Sequence, residues 1–447
     1  MGNKKVKFID LFAGMGGMKL GFENAFKKQG FDTECVMTSE IKPYAVKTLK
    51  HNFKGEHFVG DIFKVKNEDI PDFDFLLGGF PCQPFSASGK RFGFQDTRGT
   101  LFFEIERILA AKQPYGFILE NVEGLLKHDL ANKKDKIGRT LKTILFKLTE
   151  LGYKVSYKLL DSIDFALPQS RKRVFIVGTK DQAVDLINFP IQRATVKEIL
   201  ESGLKTRDTK FTKKLLQHYS IEELYGKSIK DKRGGKNNIH SWDIGIKGKV
   251  SLQQKNLLNQ LFKERRKKKW AIENGIDWMD GMSLTLSQIS TFFPKKNLEQ
   301  LLDDLVEKGY LKMEHPKKLV KEVMKNGGIK KYRTYDEQLP KGYNIVTGKL
   351  SFEINKILDP NDIAPTLVAT DVSRIAVVDG NGLRSLSIRE GLRLFGYPEW
   401  YKIPVKEKEA FDLLGNTVAV PVMEAVANRT AEIYANQPHF TLSAMPV

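Results

Sequence analysis

The first 180 residues or so predict an α/β fold whose core is a doubly wound, largely parallel sheet. Short apolar runs such as Phe73–Leu77, Phe117–Leu119 and Val174–Val177 have the length and composition of buried strands. Between them lie segments with helical spacing of apolar residues, of which Thr140–Leu151 is the clearest. Strands that alternate with helices in this way are typical of parallel sheets with helices on both faces.

The chain opens with a strand, a glycine-rich turn and a helix. Val6–Phe12 is apolar and predicts a strand, Gly14, Gly16 and Gly17 predict a turn, and Met18–Phe26 has helical spacing. The backbone amides of such a turn, together with the helix N-terminus, can bind the polar groups of a ligand. The full dinucleotide pattern G-x-G-x-x-G is not present, because its last position holds a lysine.

Two acids follow the next two predicted strands. Glu40 ends the strand Glu34–Glu40, and Asp61, after Val59 and Gly60, is predicted to lie at the end of a third strand. A carboxylate at the first of these ends can accept hydrogen bonds from both ribose hydroxyls, and one at the second can face an adenine edge. For each acid alone the alternative is a solvated side chain. Together with the glycine turn, the two acids predict a nucleoside cofactor.

The charge of the chain is positive and unevenly distributed. Its 447 residues include 73 Lys and Arg against 54 Asp and Glu, a formal charge of +19. Residues 181–360 hold 35 of the cations and 23 of the acids, a net +12, and the rest of the chain holds 38 against 31. Such a charge favours nucleic acid as a partner. The densest basic run, Lys263–Lys269, predicts phosphate contacts, with a solvated face as the alternative.

Cysteine content and hydropathy exclude several classes of protein. Cys35 and Cys82 are the two cysteines, so a disulfide framework and thiolate-rich zinc sites are excluded, and no metal is predicted. No stretch approaches 18 uncharged apolar residues, which predicts no membrane span. The N-terminus lacks the apolar core of a signal peptide. We therefore expect a cytoplasmic protein that binds a polyanion.

One segment of the basic middle region has a clear pattern. Asn297 predicts the cap of a helix with an apolar stripe over residues 298–306, and Leu284–Phe293 predicts a shorter helix before it. Tyr310–Met313 and Ile329–Tyr335 predict strands after it. Two helices and then a basic hairpin are the order of a winged helix-turn-helix, which reads DNA with its second helix. An ordinary α+β subdomain is the alternative.

Cys82 lies in a loop whose composition is unusual for a structural cysteine. The loop follows an apolar strand, begins Gly-Gly-Phe-Pro-Cys-Gln-Pro, and continues with Ser86, Ser88 and Arg98. Glycines, prolines and polar residues do not suit a buried thiol, whereas Cys35 lies in an apolar-flanked run and is predicted to be buried. Hydroxyls and cations in such a loop can contact phosphates and can close over a substrate.

Six segments resemble, in order, the motifs of the DNA cytosine-5 methyltransferases, the bacterial modification enzymes. They are FIDLFAGMGG (residues 8–17), GFPCQPFSASGKRFGFQDTRGTLFFEI (79–105), ENVEGLL (120–126), QSRKRVFIVG (169–178), LSIREGLRLFGYP (386–398) and LLGNTVAVPV (413–422). The resemblance covers nearly the whole chain outside its variable middle. It implies a Rossmann-like, S-adenosylmethionine-dependent methyltransferase sheet with a second, basic target-recognition domain.

For catalysis, the resemblance implies that the Cys82 thiolate adds to C6 of a cytosine that has been flipped out of duplex DNA. Position C5 then accepts a methyl group from S-adenosylmethionine. Glu120 in its protonated form would bind N3 and the exocyclic amine, and Arg173 would bind O2. Asn121 and Pro81 would fix the geometry around Glu120 and Cys82.

For the cofactor, the resemblance implies an adenine contact by Phe12, a ribose contact by Glu40 and a glycine turn near the methionine end. The full set is Phe12, Gly14, Gly16, Gly17, Glu40, Ile41, Asp61, Ile62, Asn416, Thr417 and Val418. Ile41 follows the ribose acid where the family often has Trp. This departure replaces an aromatic contact to adenine by an aliphatic one.

For DNA, the resemblance implies a closing loop and a short recognition element. The residues implied are Ser86, Ser88, Arg98, Gln169, Arg171, Thr366 and Leu367. Ser88 would lie near the space that the flipped base vacates, and Gln169 and Arg171 would also support the pocket. Thr366 and Leu367 belong to a Pro-Thr-Leu-Val sequence that resembles the family's Thr-Leu element, with plain strand residues as the alternative.

The predicted organisation has three parts. Residues 1–185 form the catalytic domain, 186–404 the target-recognition domain and hinge, and 405–447 a segment that returns to the catalytic domain. Double-stranded DNA is the expected partner of a monomer, with a separate restriction endonuclease as a further candidate. Two other functions stay open: a tRNA cytosine-5 methyltransferase, against which the large basic middle argues, and a non-catalytic DNA-binding regulator, against which the intact catalytic residues argue.

Overall fold

The computed structural model of the protein describes residues 5–80, 101–132, 134–231, 237–276, 281–323, 329–346, 352–369 and 372–437. In chain order, the strands of these residues are β1 (Lys5–Leu11), β2 (Asp32–Ser39), β3 (Phe58–Val59), β4 (Phe75–Gly79), β5 (Gly116–Val122), β6 (Lys154–Asp161), β7 (Lys172–Thr179), β8 (Ser228–Ile229), β9 (Asn238–Ile239), β10 (Leu311–Glu314), β11 (Lys317–Val323), β12 (Ile329–Tyr335), β13 (Gly342–Ile345), β14 (Lys356–Ile357), β15 (Ile375–Asp379) and β16 (Gly382–Ser385). The α-helices are α1 (Gly17–Lys28), α2 (Pro43–Asn52), α3 (Leu101–Lys112), α4 (Arg139–Glu150), α5 (Lys210–His218), α6 (Ile221–Leu224), α7 (Leu252–Glu264), α8 (Lys268–Glu273), α9 (Leu286–Ser290), α10 (Leu298–Glu307), α11 (Ile388–Leu394), α12 (Glu407–Asn416) and α13 (Val420–Ala435).

Seven strands form one sheet in the order β3-β2-β1-β4-β5-β7-β6. The first five strands of this order pair in parallel, and β7 runs antiparallel to both β5 and β6. The predicted doubly wound, largely parallel α/β sheet is therefore confirmed. The chain order reverses between β1 and β4, and open α/β sheets bind their ligands at such a point, beyond the carboxyl ends of the strands.

Helices cover both faces of this sheet. On one face, α1 and α13 pack on β1 and β4 through aromatic rings that include Phe26, Phe75 and Tyr434. On the other face, α3 and α4 share one buried cluster with β1, β4, β5 and β7, in which aliphatic side chains predominate. The packing of α13 on α1 is close, because a Cβ at Gly21 would lie 2.7 Å from Met423.

Helices α12 and α13 together, Glu407–Ala435, are long and apolar enough to cross a membrane. However, 72% of their most apolar window is buried inside the protein. The core helix of a globular protein has the same length and composition, and the packing of α13 against the sheet accounts for its hydropathy.

The chain divides into two compact units. The first comprises residues 1–202, 359–373 and 386–447, and the second comprises 203–358 and 374–385. Residues 374–385 belong to the second unit because β15 and β16 join its five-stranded sheet, of order β16-β15-β14-β8-β9. Residues 386–404, which we assigned to the recognition part, lie with the first unit. The roles of the predicted parts stay predictions.

A winged-helix arrangement lies within the second unit. Helices α9 and α10 are followed by β10, by the antiparallel hairpin β11–β12 and by β13, which pairs with β10 on one side and bridges Leu284 on the other. This order of elements matches the winged interpretation. Two details differ from the prediction. The hairpin partner of β12 is β11 rather than the strand near residue 311, and the Asn297 side chain makes no cap bond to α10.

Candidate active site

Residues that end or follow β1 to β5 line one cavity of about 800 Å³ in the first unit. The end of α12 completes its wall. The predicted site residues that line this cavity are Phe12, Gly14, Glu40, Ile41, Asp61, Ile62, Glu120, Asn121, Arg171, Arg173, Asn416 and Thr417. The fold therefore brings together residues that are up to 405 positions apart in sequence, from Phe12 to Thr417.

The turn after β1 has a strained backbone. Phe12 and Gly14 both have a φ of 58°, a left-handed value that is rare for a residue with a side chain and that concentrates at functional sites. A Cβ at Gly14 would meet nothing within 4 Å, so this position is open. At Gly16 and Gly17 a Cβ would come within 2.6 Å of neighbouring side chains. Gly14 thus lines the cavity, whereas Gly16 and Gly17 are required for close packing.

Glu40 organises the same turn. One carboxylate oxygen, Oε2, accepts a hydrogen bond from the backbone amide of Gly14 at 2.8 Å. The other, Oε1, accepts from the amides of Ile41 and Lys42, also at 2.8 Å. Because each carboxylate oxygen can accept about two hydrogen bonds, Glu40 has acceptor capacity left on the oxygen that holds the glycine turn.

Asp61 begins a short 3-10 helix, Ile62–Lys64, and its carboxylate accepts a hydrogen bond from the Phe63 amide at 3.1 Å. Ile62 is buried, whereas the Ile41 side chain is 71% exposed at the rim of the cavity. Phe63 also lines the cavity and is 47% exposed. We did not predict Phe63 as a site residue, although an aromatic residue directly after a predicted cofactor pair is a signal in the sequence.

The C-terminal residues reach the cavity at the end of α12. The Asn416 amide donates to the Asp412 carbonyl at 2.8 Å, and the Thr417 hydroxyl lies 2.5 Å from the Tyr397 hydroxyl. Val418 is buried against Gly17 and does not appear in the cavity wall. The segment therefore supplies two residues to the cavity and one to the packing behind it.

Glu120 and Arg173 form an ion pair at the cavity. Arg173 Nε lies 2.8 Å from Glu120 Oε1, with both side chains about 15% exposed. In the antiparallel pairing of β5 and β7, Arg173 lies opposite Val122. Glu120 is two residues before Val122 on β5 and points to the same face, so Glu120 and Arg173 are diagonal neighbours. Burial raises the pKa of the Glu120 carboxyl, and the neighbouring guanidinium groups of Arg173 and Arg171 lower it only in part.

Asn121 connects β5 to the end of β4. Its side-chain amide donates to the Phe80 carbonyl at 2.9 Å, and its Oδ1 accepts from the Val122 amide at 2.9 Å. The bond to Phe80 is buried, and the bond to Val122 is partly buried. Phe80 lies two positions before Cys82 in the sequence.

Arg171, which lines the cavity, and Gln169 are both held in place by buried hydrogen bonds. Arg171 is buried and donates to the carbonyls of Leu367 and Gly415, both at 3.1 Å. Burial, and then the like charge of Arg173, lowers the pKa of Arg171 to about 9. Gln169 is buried as well, donating to the Leu394 carbonyl and accepting from the Leu367 amide at 3.1 Å. Their predicted supporting role fits this burial, whereas a direct DNA contact by either side chain does not.

The Thr-Leu element is held by the same segment. The Thr366 hydroxyl donates to the Ser170 carbonyl at 2.5 Å, and its side chain is exposed. Leu367 is fully buried, so the prediction that its side chain contacts DNA does not fit this structure. Neither residue lies in a strand, and the alternative interpretation as plain strand residues is therefore wrong.

Several predicted residues lie outside the described residues. These are Pro81, Cys82, Ser86, Ser88 and Arg98. Cys35 is described: it is buried on β2, and burial raises its thiol pKa to about 11, as suits an inert structural cysteine. Within the described ranges, no group of three or more His, Cys, Asp or Glu side chains is arranged to hold a metal ion.

Sequence reasoning missed part of the cavity wall. The lining residues that we did not name as site residues are Ser39, Lys42, Phe63, Gly79, Phe80, Leu101, Val122, Leu413 and Gly415. Most are neighbours of predicted residues along a strand or turn. Their motifs pointed to the right segments without showing which side chains and backbone atoms would face inward.

The family profile for C-5 cytosine-specific DNA methylases matches residues 6–432 of the chain. The chain therefore belongs to this family, and the predicted class, an S-adenosylmethionine-dependent DNA (cytosine-5-)-methyltransferase, is confirmed.

Individual proteins support this assignment. Type II methyltransferase M.NlaIV of Neisseria lactamica is 59% identical over 426 residues, which cover 95% of this chain and 99% of the relative. Type II methyltransferase M.BanI of Aneurinibacillus aneurinilyticus is 41% identical over 448 residues, covering 94% and 95%. The solved structure of the Entamoeba histolytica methyltransferase EhMeth has a TM-score of 0.52 at 14% identity, covering 97% of this chain and 99% of that one, and shares the fold.

Proposed function

We propose that the protein is the modification enzyme of a type II restriction-modification system, which methylates C5 of a cytosine flipped out of duplex DNA. The observation that carries this proposal is the single cavity lined by Glu40 and Asp61 together with Glu120 and Arg173. One part of this wall has the groups that a nucleoside cofactor requires, and another has a buried acid beside a guanidinium. The relatives named Type II methyltransferases, which match almost the full chain, support the restriction-modification assignment.

The cofactor site fits S-adenosylmethionine, which when bound supplies the electrophilic methyl group and would leave as S-adenosylhomocysteine. Glu40 retains acceptor capacity for a ribose hydroxyl while it holds the Gly14 amide. The open Cβ position at Gly14 lets a ligand approach the backbone closely. Phe63 has the exposed ring that a stacked adenine uses, a contact that Ile41 cannot provide.

The target base enters the other part of the cavity. A stacked cytosine shields C5 and C6, so the base leaves the duplex at a cost of a few kcal/mol. The Cys82 thiolate forms a bond to C6, and the electron pair of the C5–C6 bond moves to C5. Glu120 in its protonated form, which burial favours by raising its pKa, donates to N3 and stabilises the charge that develops on the ring. Arg173 leaves its pairing with Glu120 in part to bind O2.

The reaction then returns the enzyme to its starting state. After C5 has taken the methyl group, a base removes the C5 proton, the C5–C6 double bond forms again and the bond from C6 to sulfur breaks. The thiolate is released and the aromatic ring is restored. Asn121 would keep the Cys82 segment in reach of the base, because it holds the carbonyl of Phe80.

The two cysteines provide a matched test. We expect Cys82→Ala to abolish methylation and to form no covalent complex with duplex DNA containing 5-fluorocytosine, whereas Cys35→Ala keeps both, since Cys35 is a buried core residue. A covalent complex trapped with Cys82→Ala would contradict the proposed role of Cys82 as the nucleophile. Bisulfite sequencing of DNA from a methylation-free host expressing the protein identifies the site. Competition of duplex DNA by tRNA tests the alternative substrate.

A further inference from the structure

The hairpin β11–β12, here called the wing, has two faces of different charge. In an antiparallel pair, directly opposed residues point to the same face and neighbours along a strand point to opposite faces. The register therefore assigns four cations and no acid to one face, called the basic face. Its charged residues are Lys317, Lys321, Lys331 and Arg333.

The basic face includes a like-charge pair that costs stability. Lys321 lies directly opposite Lys331, and like charges in this position destabilise a sheet. Both side chains are exposed, as is Arg333. Within the described residues none of these three forms an ion pair. Such an arrangement is expected where an anionic partner offsets the repulsion.

The other face of the wing is close to neutral. Glu322 lies directly opposite Lys330, a pairing that stabilises the hairpin. Lys318 lies 3.1 Å from Asp336, which compensates its charge. The two faces thus carry lysines at similar positions, but on this second face Lys318 pairs with Asp336 and Lys330 lies opposite an acid.

The second helix of the winged arrangement is acidic. Glu299, Asp303 and Glu307 are exposed and recur every four residues, so they form one stripe along α10. The Asp303 carboxylate accepts from the Tyr343 hydroxyl at 3.0 Å. Helix α10 contains no basic residue. A helix inserted into the major groove runs between two phosphate backbones, and carboxylates on its solvent face are repelled there.

Several cations of the basic run Lys263–Lys269 already have partners within the protein. Arg265 is buried and donates to Asn344. Lys267 and Lys269 both lie within ion-pair distance of Glu264, at 2.5 Å and 3.9 Å. The run therefore offers fewer uncompensated charges than its composition indicates.

We propose that the basic face of the wing binds the phosphate backbone of duplex DNA, and that α10 stays out of the groove. The proposal rests on the proposed function, which supplies the DNA substrate. It changes the prediction from sequence, in which the second helix reads the DNA. The wing fits this role because Lys321, Lys331 and Arg333 form no ion pair within the described part of the chain. Each phosphate contact releases counterions and adds about 0.9 to the salt slope of binding.

Two double variants of the full-length protein test the basic face. K321Q/K331Q removes two charges from the basic face, and K318Q/K330Q removes the same number from the opposite face of the same hairpin. Binding to a duplex containing the methylated site is measured from 50 to 200 mM salt. We expect the slope of log K against log salt to decrease by about 2 for the first variant and to stay unchanged for the second. The charge-preserving K321R/K331R keeps the wild-type slope.

Each outcome decides the inference. Equal slopes for the two glutamine variants overturn it and leave the proposed function intact. If the two slopes differ but the wild-type protein methylates no duplex at any salt concentration, the proposed function is overturned and the inference about the wing is kept. Thermal unfolding checks that both variants are folded, as we expect because all four lysines lie on the surface hairpin β11–β12. E299Q/E307Q tests the helix: we expect binding that is equal or tighter and the same methylated sequence, whereas a changed sequence preference would overturn the exclusion of α10.

Discussion

Asn121 provides the sharpest test of how the fold positions the nucleophile. Replacement by alanine removes the donor to the Phe80 carbonyl and the acceptor for the Val122 amide, both at 2.9 Å. Each buried backbone group left without its partner costs about 1–3 kcal/mol. Allowing for partial relaxation, we expect Asn121→Ala to lower the free energy of unfolding by roughly 2–4 kcal/mol.

The loss of catalytic activity in Asn121→Ala should exceed what its lower folding stability explains. The lost bond frees the carbonyl two positions before Cys82, and a misplacement of about 1 Å at a reacting group can reduce turnover roughly 100-fold. We therefore expect kcat to fall by about 10- to 100-fold with little change in KM for the cofactor. Asn121→Asp keeps the acceptor for Val122 but cannot donate to Phe80, so its kcat should fall as well.

Asn52→Ala is the matched control. The Asn52 amide donates to the Thr48 and Lys402 carbonyls, at 2.8 Å and 2.7 Å, and Asn52 does not line the cavity. It should lose stability and keep kcat. Urea unfolding and steady-state methyl transfer, measured below the melting temperature of every variant, separate the two effects. A folded Asn121→Ala protein with wild-type kcat would show that Asn121 stabilises the fold without positioning Cys82.

Two further predictions concern buried acids. Because burial raises the pKa of Glu120, its N3-donating form is lost as the pH rises through that raised value, and kcat/KM should decline there. Glu120→Gln, whose amide donates at every pH, should have a lower maximum without this alkaline decline; an unchanged decline would assign it to another group. Asp10 is buried without a hydrogen-bond partner among the described residues, and burial raises its pKa from 3.8 to about 7. The stability that it contributes is present below about pH 4 and lost as the pH rises toward 7, so Asp10→Asn should flatten this loss in urea unfolding at about pH 4.5 and 7.5; equal losses in both proteins would contradict the assignment.

The sequence was informative where function depends on the order of strands. Parallel strands place their carboxyl ends at one edge, so residues that follow successive strands, such as Gly14, Glu40 and Asp61, could be assigned to one site from spacing alone. The motifs extended this to Glu120 and Asn416. Neither required any knowledge of side-chain contacts.

Other features depend on contacts between distant segments. Strand β6 was not predicted because it lies at the sheet edge and has largely polar, exposed positions that lack the apolar run of a buried strand. Gln169 and Leu367 were assigned to DNA, but both are buried, and a hydrogen bond joins them across 198 positions of sequence. No local pattern indicates such a bond. Strand β11 was missed for a different reason: it is local to β12, but its sequence KKLVKEV is mostly charged and lacks the apolar run of a buried strand.

The winged segment shows what charge patterns can and cannot predict. The apolar stripe of α10 correctly indicated a helix, because burial of one face follows from spacing. The net charge of the region correctly favoured a polyanion as partner, but a net charge does not show which residues contact that partner. Which cations remain available is decided by the partners that folding supplies, as for Lys267, which has Glu264, and Lys331, which faces another lysine. The element that meets DNA is therefore predicted by uncompensated charge in the folded protein and not by the density of basic residues along the chain.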